Sequence, residues 1–253
     1  MVKPSRYTAS TSTGSGSGLG SGARAGRSEV LADLPALRPL PTAAERAAEV
    51  IRDNIFEGRF APGTALPEAA LSKALQVSRN TVREAFRALT SEHLLTYEAH
   101  KGVMVRSLSV DDVGDIYRLR RMFELAAVDH AIAGTRGLNV GAIGDLVTTA
   151  EQLAAAGQWN EVGTVNLRFH EEIVAGHQSP RINEIFRRLM TEIRLGFLAF
   201  ADQAELHGAF VPRNREIHGL MAGGDLKKAR AELARYLDEA EQRITIAIEG
   251  NSD

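Results

Sequence analysis

Three arginines recur along one stretch of the chain at the spacing of a helix face. Arg79, Arg83 and Arg87 stand at i, i+4 and i+8, so in a helix their side chains share one side. A guanidinium group can pair bidentately with a guanine edge, and the first turn of a helix reaches furthest into a major groove. The row therefore indicates contact with double-stranded DNA, although a surface row of this kind is, taken alone, more often simply solvated.

The residues around this row predict two helices joined by a tight turn. Pro67 suits the first turn of a helix, where its missing N–H costs nothing. Ser78 can cap the second helix by accepting hydrogen bonds from its first backbone N–H groups. Apolar residues recur on one side of each helix and should face a core: Leu71, Ala74 and Leu75 in the first, and Val82, Phe86 and Leu89 in the second. This arrangement would turn the arginine row outward.

A short β-ribbon is predicted directly after the second helix. Strand-like alternation places apolar side chains at Leu95, Tyr97, Val103 and Val105. The turn between the strands carries Lys101, which could rest on the phosphate backbone or enter the minor groove. The tight turn, the serine cap, the arginine row and the basic ribbon together predict a winged helix-turn-helix. The alternative is a plain helical hairpin with solvated arginines.

A resemblance to a known family covers about residues 41–248. The GntR family of bacterial transcription regulators has a DNA-binding domain that closely resembles GRFAPGTALPEAALSKALQVSRNTVREAFRALTSEHLL and the following KGVMVR, with VSRNTVREAFRAL as the most specific part. The sequence downstream resembles the ligand-binding helical bundle, the FCD domain, of the FadR subfamily. The resemblance implies a homodimer on a palindromic operator. It also implies release from DNA when a small metabolite binds, so a repressor is the default expectation.

Eight residues are the candidates for contact with the operator. We expect bases or adjacent phosphates to be met by Arg79, Asn80, Thr81 and Arg83. We expect the DNA backbone or the minor groove to be met by Ser78, Arg87, Lys101 and Gly102. The family pattern also leads us to expect glycine at two helix ends where this chain has Gln76 and His93. A left-handed conformation at a non-glycine residue costs about 1 kcal/mol, so both are expected to be tolerated.

Composition is that of a globular protein with two modest domains. The chain has 253 residues and no cysteine, which excludes disulfides and thiolate metal sites. No apolar run is long enough to span a bilayer and no secretory signal is evident, so a cytoplasmic location is expected. The net charge of −2 divides into +3 over residues 1–40, +1 over 41–107 and −6 over 108–253. Because the basic excess near the DNA is modest, affinity should depend on two subunits binding together.

The predicted fold class is mostly α, with strands only in the ribbon, and the chain divides into three parts. Residues 1–40 form a Ser/Gly/Arg-rich tail that is expected to be disordered. Residues 41–107 form the winged helix-turn-helix, and residues 108–253 form an antiparallel helical bundle for effector binding and dimerisation. Helices in the bundle are expected near 111–134, 139–156, 159–177, 180–202, 206–223 and 225–248.

Asn166 and His170 stand at i, i+4 in the third bundle helix, a spacing that lets two side chains converge on one ligand. Many members of the FadR subfamily carry Asp and His at this spacing and two further His on the last two helices, which together hold a divalent metal. In this chain Asn214 and Tyr236 stand where those two histidines are expected, so only His170 is kept. We therefore expect no metal cofactor; if a metal is bound, His170 and Asn166 are its remaining ligands.

The same positions instead predict a neutral polar site for an organic effector. Its candidate residues are Arg120, Asn166, His170, Asn214 and Tyr236. Arg120 is the candidate to meet a carboxylate, because its charge is fixed and its geometry is forked. It matches an Arg…Glu pair of the family together with Glu124, and a purely structural i, i+4 pair is an equally open interpretation.

Enzyme classes find little support in the sequence. It contains no nucleophile elbow, P-loop or GxGxxG, and the run His170-Glu171-Glu172 lacks a second histidine at position 174. We therefore expect a regulator and no enzyme. Two alternatives stay open: a metal-dependent sensor of the same fold, and a helical enzyme or scaffold whose N-terminal hairpin is incidental.

Overall fold

The predicted DNA-binding region folds as three helices followed by a two-stranded ribbon. The computed structural model describes residues 41–200 and 202–250, and the predicted tail at residues 1–40 lies outside them. The elements are α1 Ala43–Phe56, α2 Glu68–Leu75, α3 Arg79–Ser91, β1 Leu95–Glu98 and β2 Gly102–Val105. The two strands are antiparallel, with Leu95 opposite Val105. The predicted winged helix-turn-helix is confirmed.

A small apolar core holds α3 in place by its inner face. The inner face of α3 carries three buried side chains, Val82, Phe86 and Leu89. They belong to the same core as Ile51 and Ile55 of α1. Burying an aliphatic or aromatic side chain of this size stabilises a fold by about 1.5–3 kcal/mol. The period of these residues leaves the opposite face of α3 uncovered.

Both helix ends that lack the expected glycine adopt the left-handed conformation. Gln76 has a φ of 54° and His93 a φ of 59°. Gln76 ends α2, and its backbone N–H donates to the carbonyl of Ser72. The chain therefore reverses direction at both positions with ordinary side chains, as expected.

The rest of the described chain is a bundle of helices. They are α4 Val110–Ile132, α5 Val140–Ala155, α6 Trp159–Ala175, α7 Pro180–Phe197, α8 Gln203–Gly208, α9 Val211–Ala222 and α10 Leu226–Gly250. The principal packing pairs are α4 with α10, α5 with α6, and α6 with α7. None of the helices within residues 41–200 and 202–250 has the length and apolar content needed to cross a membrane.

One part of the bundle differs from the predicted helices. The helix expected over 180–202 ends at Phe197, and the one expected over 206–223 is divided into α8 and α9. Asp202 caps α8 by accepting hydrogen bonds from the N–H groups of Ala204 and Glu205. Pro212 has no N–H to donate to a preceding carbonyl, so it lies in the first turn of a new helix. The prediction of two long helices here was wrong.

Candidate DNA-binding and effector sites

The N-terminal turn of α3 is built by Ser78. Its hydroxyl accepts a hydrogen bond from the N–H of Thr81 over 3.0 Å and contacts the Thr81 hydroxyl at 2.8 Å. This cap begins the helix at Arg79, directly after the turn that follows α2. Ser78 and Thr81 thus have a structural role at the same end of α3 where we expect them to contact DNA.

The arginine row of α3 faces solvent. Arg79, Arg83 and Arg87 are all exposed. Among the described residues neither Arg79 nor Arg87 makes an ion pair or side-chain hydrogen bond. Arg83 is paired with Glu68 of α2, with 2.9 Å between Nε and Oε2, yet its side chain remains 56% exposed. The three guanidinium groups therefore remain at the surface, where a nucleic acid can reach them, and among the described residues only Arg83 has a carboxylate partner.

The ribbon presents its cation at the tip. Lys101 is exposed and pairs with Glu98 across the turn at 2.8 Å. Gly102 has a φ of 86°, a conformation that side chains disfavour, so the glycine permits the turn that carries Lys101. Tyr97 belongs to the apolar alternation of the strands, but its side chain is 74% exposed on the ribbon. Leu95 lies on the same face of β1 and is 2% exposed, so the period alone could not show where along the ribbon the core ends.

The five predicted effector residues lie together inside the bundle and, with Glu124, form what we call the inner cluster. Its members are Arg120 and Glu124 of α4, Asn166 and His170 of α6, Asn214 of α9 and Tyr236 of α10, all of them buried. Four helices thus bring these six side chains together in the bundle interior.

Glu124 joins two of the predicted residues. One carboxylate oxygen accepts from Nε of Arg120 over 2.8 Å, and the other contacts Nδ1 of His170 at 2.6 Å. Burial raises the pKa of Glu124, but the positive charge of Arg120 and the hydrogen bond from His170 outweigh it and hold that pKa below its ordinary value. Burial also lowers the pKa of His170 against the opposing pull of Glu124. A neutral His170 that donates from Nδ1 to the carboxylate leaves Nε2 as an acceptor.

Asn166 joins Asn214 and Tyr236, the remaining two residues of the inner cluster. Its side-chain oxygen accepts from Nδ2 of Asn214 over 2.7 Å and from the hydroxyl of Tyr236 over 3.0 Å. The rings of Tyr236 and His170 lie 5.0 Å apart between centroids, which connects the two halves of the inner cluster. Because the amide oxygen is shared by two donors, Asn166 is held in one orientation.

Four polar atoms at the inner cluster have no hydrogen-bond partner among the described residues. They are Nη2 of Arg120, Nε2 of His170, Oδ1 of Asn214 and the hydroxyl of Tyr117, which lies near the Arg120 guanidinium without a hydrogen bond of normal geometry. A buried polar atom without a partner costs about 1–3 kcal/mol, and such atoms are rare in folded proteins. Two of these atoms are donors on groups that suit a carboxylate, and two can accept from a ligand hydroxyl or N–H.

Only part of this site follows from the sequence. Spacing pairs Glu124 with Arg120 but does not show that Glu124 lies between Arg120 and His170. Tyr117 was not anticipated, although it lies three residues before Arg120 on the same helix, and the Arg120 guanidinium carbon lies 4.8 Å from its ring centroid. Among the described residues, no three His, Cys, Asp or Glu side chains converge as metal ligands. One imidazole and one amide oxygen are a poor ligand set for a transition metal.

Two family models match this chain. The model described as bacterial regulatory proteins, gntR family, matches residues 43–105, which hold α1 to β2. The FCD domain model matches residues 115–239, which hold the whole inner cluster. The first covers the winged helix-turn-helix and the second covers most of the bundle.

Three known proteins that are similar to this chain are also named as transcriptional regulators. A solved structure of a transcriptional regulator GntR from Rhodococcus sp. RHA1 aligns with a TM-score of 0.74 at 35% identity, over 79% of this chain and 96% of that one. The uncharacterized HTH-type transcriptional regulator YdhC of Bacillus subtilis (strain 168) is 32% identical over 49% of this chain, and the match spans only 56% of that relative. A protein named as a probable D-xylose utilization operon transcriptional repressor, from Paenarthrobacter nicotinovorans, is 24% identical over 78% of this chain and 86% of its own length. All three are named as regulators, in agreement with the expectation that this chain is no enzyme. The chain therefore belongs to the GntR family of bacterial regulatory proteins and has the FadR-like architecture, a GntR domain followed by an FCD domain.

Proposed function

We propose that this protein is a transcriptional repressor that binds a palindromic operator as a homodimer and releases it when a small carboxylate binds in the bundle. The observation that carries the DNA-binding part is the solvent-facing arginine row at the capped start of α3. In this arrangement Arg79, Asn80, Thr81 and Arg83 meet bases or adjacent phosphates in the major groove. Ser78, Arg87, Lys101 and Gly102 contact the DNA backbone or the minor groove.

Dimerisation is supported by the charge and by an uncovered apolar strip. The DNA-binding region carries a net charge of only +1, so one subunit attracts DNA weakly and two subunits on adjacent half-sites would add their contacts. On α4 of the bundle, Leu119 and Met122 lie three residues apart and expose 40% and 64% of their surface. Large apolar side chains on one face of a helix favour burial against a second copy of the chain.

The carboxylate effector is supported by four unpartnered polar atoms, three in the inner cluster and one on the adjacent Tyr117. Nη2 of Arg120 and the hydroxyl of Tyr117 are donors that a carboxylate can accept from. Nε2 of His170 and Oδ1 of Asn214 can accept from a hydroxyl of the same ligand. The chemical class that uses all four is a hydroxycarboxylate. Such a ligand can release DNA only by binding the DNA-incompetent state more tightly than the competent one.

The repressor assignment rests on similarity. The relative from Paenarthrobacter nicotinovorans is named as a repressor. A ligand of the bundle that loosens the operator complex gives induction of the kind expected of such a protein. The assignment is tested by placing the operator before a reporter gene, since a repressor lowers and an activator raises expression.

The first test is operator binding by an Arg83→Ala variant. We expect a loss of about 1–3 kcal/mol in binding free energy to the DNA upstream of the protein's own gene, because one base or phosphate contact is removed. Helix content, followed by circular dichroism, should not fall, since Arg83 is exposed and its ion pair with Glu68 lies on the surface. Gel shift across a salt series measures both the affinity and the number of phosphate contacts.

Arg215→Ala is the matched control for that test. Arg215 is also an arginine with a surface carboxylate partner, Glu151, but it lies on α9 of the bundle, away from the apolar strip of α4. Operator affinity should be unchanged in this variant. Undiminished binding by Arg83→Ala, or an equal loss in Arg215→Ala, would refute the proposed recognition face.

The effector site is tested by a Tyr117→Phe variant. The hydroxyl it removes lies near the Arg120 guanidinium but forms no hydrogen bond of normal geometry among the described residues, so the fold should keep its melting temperature within a few degrees. We expect binding of the preferred hydroxycarboxylate to weaken by about ten-fold or more, because hydrogen bonds to a charged group contribute about 1.5–3 kcal/mol. Titration calorimetry on ligands selected from a panel of hydroxycarboxylates measures this change.

Other outcomes of that experiment are equally decisive. Unchanged affinity in Tyr117→Phe would place the ligand away from the inner cluster. Binding that is lost on chelation and restored by a divalent metal would favour a metal-dependent sensor with His170 and Asn166 as ligands. Small molecules released from the purified protein and identified by mass spectrometry would name the effector directly.

A further inference from the structure

A second buried cation lies in the bundle apart from the inner cluster. Arg194 of α7 is 0% exposed and, among the described residues, forms no ion pair with a carboxylate. Its Nη2 donates to the backbone oxygen and to the side-chain oxygen of Asn160, each over 2.8 Å. Its Nε and Nη1 have no hydrogen-bond partner in the described chain. Burial lowers the pKa of Arg194 to about 10, a value at which the group is still charged at neutral pH.

A histidine with an unpartnered nitrogen lies beside this guanidinium. His207 of α8 is 1% exposed, and its Nε2 also lacks a partner among the described residues. Both this nitrogen and Nη1 of Arg194 lie against Gly163 of α6. A methyl group at that residue would overlap Nη1 of Arg194 and lie 2.5 Å from Nε2 of His207. The two side chains therefore converge on one place, yet no hydrogen bond joins them. Burial and the charge of Arg194 lower the pKa of His207 to about 3, so its imidazole is neutral.

The two buried arginines of the bundle differ in how their charge is balanced. Arg120 has a buried carboxylate, Glu124, within hydrogen-bond distance. Within residues 41–200 and 202–250, Arg194 donates to neutral oxygens, and the charged group that acts on it from a distance is Glu161. A buried charge without a counter-charge is costly, and proteins normally pair it or let it bind an ion. Glu161 acts without forming an ion pair, so no carboxylate of the described residues balances the Arg194 charge at hydrogen-bond distance.

We propose that Arg194 and His207 form a binding site for a small oxyanion, either a carboxylate or inorganic phosphate. The anion accepts from the free N–H groups of Arg194 and from one N–H of the neutral His207 imidazole. Gly163 allows both side chains to approach the backbone of α6 at this point. This site is separate from the inner cluster and does not depend on the function proposed for it.

The site adjoins the DNA-binding domain. Asn160, which holds Nη2 of Arg194, donates through Nδ2 to the backbone oxygen of Glu57 over 2.9 Å. Glu57 follows the last residue of α1 in the winged helix-turn-helix. An anion that binds Arg194 therefore acts on a side chain only one hydrogen-bonded residue away from that domain.

The test uses the fluorescence of Trp159, the one tryptophan in the sequence. Trp159 is adjacent in sequence to Asn160 at the start of α6, and its ring lies beside Gly208 of the α8 helix that carries His207. Full-length protein is titrated separately with inorganic phosphate and with succinate. We expect a saturable change with at least one probe, and the tighter probe identifies the anion as tetrahedral or planar.

Arg194→Gln should weaken that binding at least ten-fold, because the charge and two donors are lost. Arg188→Gln, which changes an exposed arginine on the same helix, should leave it within two-fold. His207→Phe keeps an aromatic ring and should weaken binding at least three-fold. This variant tests the site if Arg194→Gln does not fold. If the probe is an adventitious ion only, the fluorescence change will not saturate, or Arg188→Gln will weaken binding as much as Arg194→Gln does. Either result overturns the site.

The proposed effector site is distinguished by Tyr117→Phe. If this variant weakens the probe and Arg194→Gln and His207→Phe do not, the anion lies at the inner cluster and the present inference is wrong while the proposed function stands. If Arg194→Gln and His207→Phe weaken the probe and Tyr117→Phe does not, the second site is supported.

Discussion

Replacing Glu124 by alanine is expected to lower the free energy of unfolding by about 3–5 kcal/mol, because it leaves a fully buried guanidinium without its counter-charge. Arg120 and Glu124 are both essentially inaccessible to solvent. The substitution also removes the acceptor of His170 Nδ1, which lies 2.6 Å from the Glu124 carboxylate. Urea denaturation at pH 7, followed by far-ultraviolet circular dichroism, measures the change.

The same chain offers a matched control for this prediction. Glu184 and Arg188 also form an i, i+4 ion pair, but about half of each side chain is exposed. Glu184→Ala should cost less than about 1 kcal/mol, since exposed pairs contribute little. A double variant with Arg120→Met and Glu124→Leu should recover part of the loss, because buried pairs are often replaceable by apolar residues of similar volume. A loss below 1 kcal/mol in Glu124→Ala would mean that the pair is hydrated in solution.

The local elements of the DNA-binding region could be predicted because they depend on short-range rules. The cap at Ser78 and the period of Val82, Phe86 and Leu89 determine which face of α3 is buried. The outward arginine row follows from the same period. The left-handed conformation of Gln76 was expected for another reason, since the family pattern has glycine at this helix end.

The inner cluster could be predicted in part for a different reason. Asn166 and His170 share a helix face by spacing alone, but Asn214 and Tyr236 were placed by resemblance to a family pattern. Glu124 as the bridge between Arg120 and His170 depends on how α4 packs against α6. No spacing within one helix contains that information.

The pair of Arg194 and His207 could not be found from the sequence. The two residues lie on α7 and α8, and the sequence predicted a single helix over 180–202 and another over 206–223. That error concealed the short helix whose direction brings His207 to Gly163. Periodicity within a helix cannot predict a contact between residues on either side of a helix end.

Gly58→Ala is expected to destabilise the protein by about 1–3 kcal/mol more than Gly63→Ala. Both glycines belong to the winged helix-turn-helix and both have left-handed backbones, with φ of 75° and 78°. Each substitution therefore carries a similar conformational cost of about 1 kcal/mol. The two sites differ in what a methyl group would meet.

At Gly63 a methyl group would meet nothing within 4 Å, whereas at Gly58 it would overlap the Asn160 side chain and lie 2.7 Å from Nη2 of Arg194. Overpacking of this kind typically costs about 1–3 kcal/mol, and here it must displace the side chain that bonds the Glu57 carbonyl. Urea denaturation of both variants gives the difference. Equal losses would show that α1 does not rest on Asn160 in solution. A larger loss at Gly58 would establish that the DNA-binding domain and the bundle are held together at the residues that also hold Arg194.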